Sequence, residues 1–271
     1  PNRTDSDGDS ITDDLEDSDL DGISNYDELY VTNTLPRRPD TDEDGVLDGD
    51  EYYILGTDPN DKDSNDNSVS DYDEDMDGDG LSNGVEFYVT FTLANDTDSD
   101  NDGTSDYYDD EDGDQLPNWF EVEMSETDPI SDDSNDDGDF DWEEDPDADE
   151  LNNLEEFNAG TDPLLADSDS DGLTDGEEVN QTLTDPNNDD SDDDGILDAD
   201  DDQDNDGLTN VDEIREYGTD PTLKDTDSDM LRDGLEIDVG LNATNPDSDG
   251  DGLYDGFYDE NDNGQYDDGE L

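Results

Sequence analysis

The stretch Asp40 to Glu51 reads DTDEDGVLDGDE, with Asp at positions 1, 3, 5 and 9, Gly at position 6 and Glu at position 12. Acids at that spacing suit one kind of chemistry. When such a loop curls, alternate carboxylates converge, and a hard divalent cation taking about six to eight oxygens can sit among them. Position 7 then offers a backbone carbonyl, position 9 acts through water, and a Glu at 12 closes the site with both oxygens. Gly at position 6 permits the positive φ of the sharp turn.

The pattern recurs fifteen times. The candidate ligands at positions 1, 3, 5 and 12 begin with Asp5, Asp7, Asp9 and Glu16, then Asp17, Asp19, Asp21 and Glu28, then Asp40, Asp42, Asp44 and Glu51. They continue with Asp63, Asn65, Asn67 and Glu74; Asp75, Asp77, Asp79 and Glu86; Asp98, Asp100, Asp102 and Asp109; Asp110, Asp112, Asp114 and Glu121; and Asp133, Asn135, Asp137 and Glu144. The next are Asp145, Asp147, Asp149 and Glu156; Asp167, Asp169, Asp171 and Glu178; Asp190, Asp192, Asp194 and Asp201; and Asp202, Asp204, Asp206 and Glu213. The last are Asp225, Asp227, Asp229 and Glu236; Asp247, Asp249 and Asp251; and Asp259, Asn261, Asn263 and Glu270. The Asp247 loop has Tyr258 where an acid should close it and ranks among the weaker sites, with Asp259 or Glu260 as residues to borrow. Ten loops carry the position-6 Gly; Ser10, Ser68, Gln115, Glu150 and Met230 replace it in the others, so those loops are either strained or curled differently.

Loop starts are spaced by 12 or by 22–23 residues, which gives six tandem pairs and three single loops. The resulting nine units are 5–28, 40–51, 63–86, 98–121, 133–156, 167–178, 190–213, 225–236 and 247–270, read as a single array. Every loop that precedes a linker or the end of the chain closes with Glu, and the three exceptions (Asp109, Asp201 and Tyr258) all lie inside pairs.

The elements that must position these acids are short. Linkers of 10–11 residues begin with an apolar residue directly after the Glu: Leu29, Tyr52, Phe87, Val122, Phe157, Val179, Ile214 and Ile237. Several then carry a T-D-P turn, as in Gly56-Thr57-Asp58-Pro59, where Pro disfavours continuing a helix. Short helical turns are expected from near position 9 past the Glu. Apolar residues at position 7 of twelve loops, and the aromatics Tyr52, Tyr53, Phe87, Tyr88, Trp119, Phe120 and Trp142, read first as packing contacts; an even spread of aromatics favours that over a sticky patch.

Composition agrees with a chelating array. The chain holds 96 acids against 7 bases, a formal charge of −89, and only 25% hydrophobic residues. Such a chain cannot offset its backbone entropy by burying apolar surface, so it stays disordered unless something neutralises it. A salt-adapted acidic surface or a disordered acidic tail explains the charge but not its phase. Folding then becomes metal binding. One divalent ion per loop would reduce the charge to −59 and two to −29, with extra ions shared across tandem junctions to absorb the remainder. Calcium fits; magnesium's strict octahedron suits all-protein cages badly, and zinc and copper would want the His and Cys that the chain lacks. Scattered bases exclude nucleic acid and anionic membrane as partners. No apolar run is long enough to span a membrane. Paired carboxylates carry no catalytic signal in so acidic a chain, and no nucleophile with an activating base is present, so no enzyme is expected.

The pattern D-x-D-x-D-G-L-x-D-G-x-E, the tandem pairing and the G-T-D-P linkers resemble thrombospondin type 3 repeats in their bacterial and archaeal form, most clearly in DSDSDGLTDGEEVNQTLTDP from Asp167 to Pro186. An EF-hand differs, since it keeps its apolar residue one place later and needs helices that 12-residue spacings leave no room for. The resemblance covers essentially the whole chain. It implies a mostly irregular, calcium-cored repeat array, an elongated, solenoid-like or beaded rod with short helical turns and no conventional hydrophobic core. Animal members carry cysteines in these repeats; this chain has none.

The functional expectation is an extracellular, calcium-rigidified stalk, spacer or fibril segment at a microbial surface. The rivals are a calcium-dependent adhesion module for glycan or protein, and an acidic calcium reservoir or mineral-nucleating protein. Sequons at Asn2, Asn95, Asn180 and Asn242 all lie outside the loops and suit glycosylation of a secreted protein. The chain starts at Pro1 and stops at Leu271, both mid-linker, which reads as a processed product, a segment of a longer array, or a subunit associating head to tail.

Overall fold

The computed structural model describes residues 11–250 and 254–256. The chain divides into two compact units, Pro1–Asp141 and Trp142–Leu271. Among the described residues there is no strand; the regular structure consists of brief helical turns between irregular loops.

Those turns begin at loop position 9 and run past the closing Glu, as the spacing predicts. In six places an α-turn continues directly into a π-turn: Asn25–Asp27 into Glu28–Thr32, Asp48–Asp50 into Glu51–Leu55, Asn83–Val85 into Glu86–Thr90, Asn118–Phe120 into Glu121–Ser125, Asp175–Glu177 into Glu178–Thr182, and Asn210–Asp212 into Glu213–Tyr217. In two places the segment is wholly α-helical, α1 (Asn153–Ala159) and α2 (Asp233–Val239). The sequence explains the split. The linkers after Glu156 and Glu236 have 10 residues and the other six have 11. The extra residue is taken up as a π-turn, the usual way a helix absorbs an insertion. Thus Gly56 N–H reaches Glu51 O, five residues back, at 2.6 Å, whereas Gly160 N–H reaches Glu156 O, four back, at 2.7 Å.

Each of these segments stops at a residue in the left-handed region, for example Gly56 (φ +75°), Gly160 (+77°) and Gly218 (+73°). The T-D-P turns come next: Asp61, Leu165 and Leu223 N–H donate to Asp58, Asp162 and Asp220 carbonyls at 2.8–2.9 Å, with Pro at the second turn position. Pro therefore sits where its fixed φ is useful, after the helix has ended.

Apolar packing is thin and local. In the first unit Val46, Leu55 and Ala94 are buried together, with Tyr72 and Phe87 packed against them. The position-7 residues divide cleanly: Ile23, Val46, Leu81, Leu116, Leu151, Leu173, Leu208 and Leu231 are buried, whereas Ile11, Val69 and Ile196 are exposed. The buried set belongs to loops that precede a linker and the exposed set to loops that open a pair. Tyr72 lies over Gly45 and Gly84, and its ring stacks with Tyr88 at 6.4 Å, so these aromatics act as packing.

Candidate metal centres

The loop Asp40–Glu51 shows how backbone geometry aims the acids. Asp40 spends both oxygens on the turn, accepting from Glu43 N–H at 2.6 Å and Gly45 N–H at 3.1 Å. Asp42 accepts from Asp44 N–H at 3.1 Å and Asp44 from Val46 N–H at 2.8 Å, each through Oδ1 only. The Oδ2 atom of Asp42 is buried and has no hydrogen-bond partner. One oxygen from each of Asp40, Asp42 and Asp44 lies within 4.8 Å of the others; the same holds for Asp17, Asp19 and Asp21, for Asp75, Asp77 and Asp79, and for Asp98, Asp100 and Asp102.

This curl needs left-handed backbone at positions 4 and 6. Ser68 (φ +77°), Gln115 (+89°), Glu150 (+81°) and Met230 (+91°) adopt it without being Gly, so those four loops keep the common curl and carry the strain. Ser10 lies outside the described residues.

The closing glutamates are the most enclosed groups. Glu28, Glu51, Glu86, Glu121, Glu156, Glu178, Glu213 and Glu236 all have 0% exposure. In some loops a linker Thr hydroxyl donates to Oε1: Thr57 to Glu51 at 3.1 Å, Thr184 to Glu178 at 3.1 Å and Thr219 to Glu213 at 3.2 Å. Even then Oε2 is left without a partner, and in Glu28, Glu86, Glu156 and Glu236 both oxygens are. A buried polar group without a partner costs several kcal/mol or neutralises itself. Burial first, then the charges of Asp42 and Asp44, push Glu51 up to about 9. Glu86, Glu121 and Glu156 are raised to about 9 and Glu28, Glu178, Glu213 and Glu236 to about 8, in each case by burial and then by neighbouring aspartates.

A second cluster lies between consecutive units. Asp21, Glu28 and Asp48 are all buried and bring one oxygen each to within 4.8 Å of one another. Asp21 and Glu28 are positions 5 and 12 of one loop, and Asp48 is position 9 of the next. The charges facing other closing glutamates repeat the relation: Asp71 at Glu51, Asp106 at Glu86, Asp233 at Glu213 and Asp255 at Glu236.

Position 9, read from the sequence as acting only through water, carries a further signal, which is an alternation. It is Asp in every loop that comes after a linker and Asn in five of the six loops that complete a pair, the last of these having Asp267. In the first class the Asp is held by a relay from position 2: Asp58 N–H donates to Ser64 Oγ at 2.7 Å, and Ser64 Oγ donates to Asp71 Oδ2 at 2.7 Å. Thr41 and Asp48, Ser99 and Asp106, Ser168 and Asp175, and Thr226 and Asp233 pair likewise at 2.6–2.7 Å. In the second class the residue must donate. Asn25, Asn83, Asn118 and Asn210 amides give a hydrogen bond to the carbonyls of Asp13, Asp71, Asp106 and Asp198 at 2.7–3.1 Å, which a carboxylate cannot do.

The pair-opening loops are different. Asn65, Asn67, Asp100 and Asp102 are exposed, and Asp63, Asp98, Glu74, Asp109, Glu144 and Asp201 are half-buried. Asp102 is held below the usual carboxylate range by the N–H and hydroxyl of Thr104. Asp133, Asn135, Asp137, Asp190, Asp192 and Asp194 belong to the same open class, with Asp133 and Asp190 capping their turns at Gly138 and Gly195 N–H at 3.1 and 2.8 Å. Of the remaining candidates, Glu16, Asp247 and Asp249 are described, while Asp5, Asp7, Asp9, Asp251, Asp259, Asn261, Asn263 and Glu270 lie outside the described residues.

An all-oxygen donor set with buried, partnerless oxygens aimed at one point fits a hard divalent cation. Acidic twelve-residue loops with such seats, joined by one-turn helical linkers, define a class of repeat that one family model describes. The bacterial TSP3 repeat matches residues 40–62, 75–86, 167–189 and 202–224. No curated protein matches the chain. Two solved structures share short stretches. The BSP domain of a biofilm-associated protein is 38% identical over 17% of this chain and 8% of that one, and the B domain of a biofilm-associated protein is 37% identical over 17% and 11%, each with a TM-score of 0.17. This chain thus spans about a tenth of either.

Proposed function

We propose that this is an extracellular calcium-binding structural protein, a stalk, spacer or fibril segment that calcium stiffens. The observation that carries the reading is the set of eight fully buried closing glutamates with partnerless oxygens. Calcium would be held in one seat by Asp40, Asp42, Asp44 and Glu51 and their counterparts in the other linker-closing loops, and in a second seat by position 5, the Glu and the position-9 Asp of the next loop, as in Asp21, Glu28 and Asp48. When bound, calcium supplies the positive charge that lets these carboxylates stay ionised while buried. The loops then form a calcium-cored array of the nine units read in the sequence. Its surface location and head-to-tail continuation belong to the same reading.

No helix among the described residues is long and apolar enough to cross a membrane, and the repeat family matched at four segments is a structural one rather than a family of enzymes. The packing role of Tyr72 and Tyr88 favours the spacer over the adhesion module. Asn95, Asn180 and Asn242 are exposed in the linkers and open to glycosylation, whereas Asn2 lies outside the described residues. An intact mass equal to the bare chain would remove the glycan assignment.

The test is a calcium titration read by circular dichroism and small-angle scattering, reversed with EGTA. Ordering into a stiff, narrow particle at ~1–10 mM calcium, where extracellular modules fill, is expected. A chain that stays a flexible coil there would leave only an acidic reservoir.

A further inference from the structure

In three of the six tandem pairs the opening loop does not close with Glu, and in those three the residue two places later is long and oxygen-bearing. Asp109 is succeeded by Glu111, Asp201 by Gln203 and Tyr258 by Glu260. Where the closer is Glu16, Glu74 or Glu144, the same place holds Ser18, Met76 or Pro146.

The structure gives the exchange a physical reason. Glu74 reaches across its own loop, where the Asn65 and Asn67 amides both donate to its Oε1, the latter at 2.8 Å. Asp109 and Asp201 are one methylene shorter and are tied back, their Oδ1 atoms accepting the next backbone N–H (Asp110 at 3.0 Å, Asp202 at 2.8 Å). Gln203 instead lines a cavity of about 420 Å³ together with Asp192, Asp198 and Asp201, which are positions 3, 9 and 12 of the preceding loop. Asp198 is 5% exposed, and its Oδ2 is buried there with no hydrogen-bond partner. The charges that bear on Glu111 are those of the equivalent acids of its own preceding loop, Asp109, Asp106 and Asp100. In two separate pairs a long side chain thus answers to positions 3, 9 and 12 of the loop before it, by cavity lining at Gln203 and by charge at Glu111.

We propose that Glu111 and Gln203 are surrogate closing ligands, giving the loops Asp98–Asp109 and Asp190–Asp201 the outer oxygen for a divalent cation that their short Asp closers cannot supply. A glutamine carbonyl is a competent calcium ligand, as is a carboxylate. The assignment rests on the proposed binding of calcium by the array.

The experiment is a calcium titration of the whole chain, read at the backbone amides of Gly103 and Gly195 by NMR. Glu111→Ala is expected to move the Gly103 midpoint to ~10–100-fold higher calcium, the usual cost of disturbing a metal site, and leave Gly195 in place. Gln203→Ala does the reverse, and adding Asp109→Glu to Glu111→Ala restores Gly103. Met76→Ala, at the same place behind a Glu closer, leaves the Ser68 amide unmoved. An unchanged Gly103 midpoint in Glu111→Ala, or an equal shift at both reporters, would overturn the surrogate role while leaving the array intact. Absence of any calcium response in the unmodified chain would overturn the array and this assignment together.

Discussion

The loops Asp40–Glu51 and Asp63–Glu74 have the same twelve-residue length and the same Asp at position 1, yet they end in opposite states. Glu51 is fully buried with Oε2 partnerless, and Val46 at position 7 has 0% exposure. Glu74 is half-buried, its Oε1 satisfied by two asparagine amides, and Val69 is 40% exposed. The difference lies in the segment on the C-terminal side of each loop. After Glu51 a linker turns back, burying Leu55 and bringing Thr57 to the carboxylate, and Asp71 of the next unit faces the same Glu. After Glu74 the next loop starts at once, with no linker between. The linker and the succeeding unit, rather than the loop, create the buried seat.

The largest effect should come from the closers. Glu51→Gln should raise the calcium midpoint read at the Gly45 amide by ~10–100-fold, whereas Glu74→Gln should leave that reporter unmoved. Equal effects would erase the distinction between the two loops.

Next comes the junction itself. A Cβ on Gly49 would lie 1.9 Å from the Asp21 carbonyl oxygen, a backbone atom that cannot step aside. Gly49→Ala should cost ~1–3 kcal/mol or more in calcium-loaded thermal denaturation. Gly56→Ala meets nothing within 4 Å and bears only the left-handed backbone, ~1–2 kcal/mol, as Asn33, Phe91 and Leu183 already do at equivalent places.

Calcium should remove the pH response of the metal-free fold. Glu51 holds its proton up to about 9 in the fold against an ordinary 4.5. Without metal the folded chain therefore binds more protons than the unfolded one between those values. The stability this contributes is full below about pH 4.5 and is lost as pH rises toward 9. With calcium those protons must leave, so affinity rises with pH over the same window. Between about pH 5 and 9, thermal melts in EGTA should fall with rising pH and melts in saturating calcium should stay level; parallel slopes would remove the carboxylates from the binding.

The smallest effect concerns position 6. Met230 is 71% exposed at φ +91°, so Met230→Gly relieves backbone strain while losing little packing, and should stabilise by ~0.5–1 kcal/mol in chemical denaturation.

Much of this was legible in the residues because the pattern is local. A Gly or Asp at fixed places within twelve residues needs only the curl of one loop, and positions 1, 3 and 5 converge in the loops of Asp17, Asp40, Asp75 and Asp98 as the spacing predicts. The helical turns from position 9 past the Glu arise for the same reason. The features that escaped depend on the neighbouring unit. Asp48 and Asp71 looked like water-mediated ligands of their own loops, because nothing within twelve residues reveals that they face Glu28 and Glu51 of the unit before. The choice of Asp or Asn there depends on a hydrogen bond to a backbone carbonyl twelve residues away, as in Asn83 to Asp71. Likewise the 22- and 23-residue spacings were visible, but their meaning, an α-turn against a π-turn, appears only when Gly160 and Gly56 are seen to cap in different registers.

If the buried carboxylates around each linker-closing Glu are cation seats, the ions themselves can be located. The measurement is a diffraction structure of the chain grown in calcium, with the ions found by their anomalous scattering. Calcium is expected among Asp40, Asp42, Asp44 and Glu51, and again among Asp21, Glu28 and Asp48, with the same two seats recurring at the other closing glutamates. Water or protonated carboxyl pairs at those points, in saturating calcium, would be incompatible with cation seats.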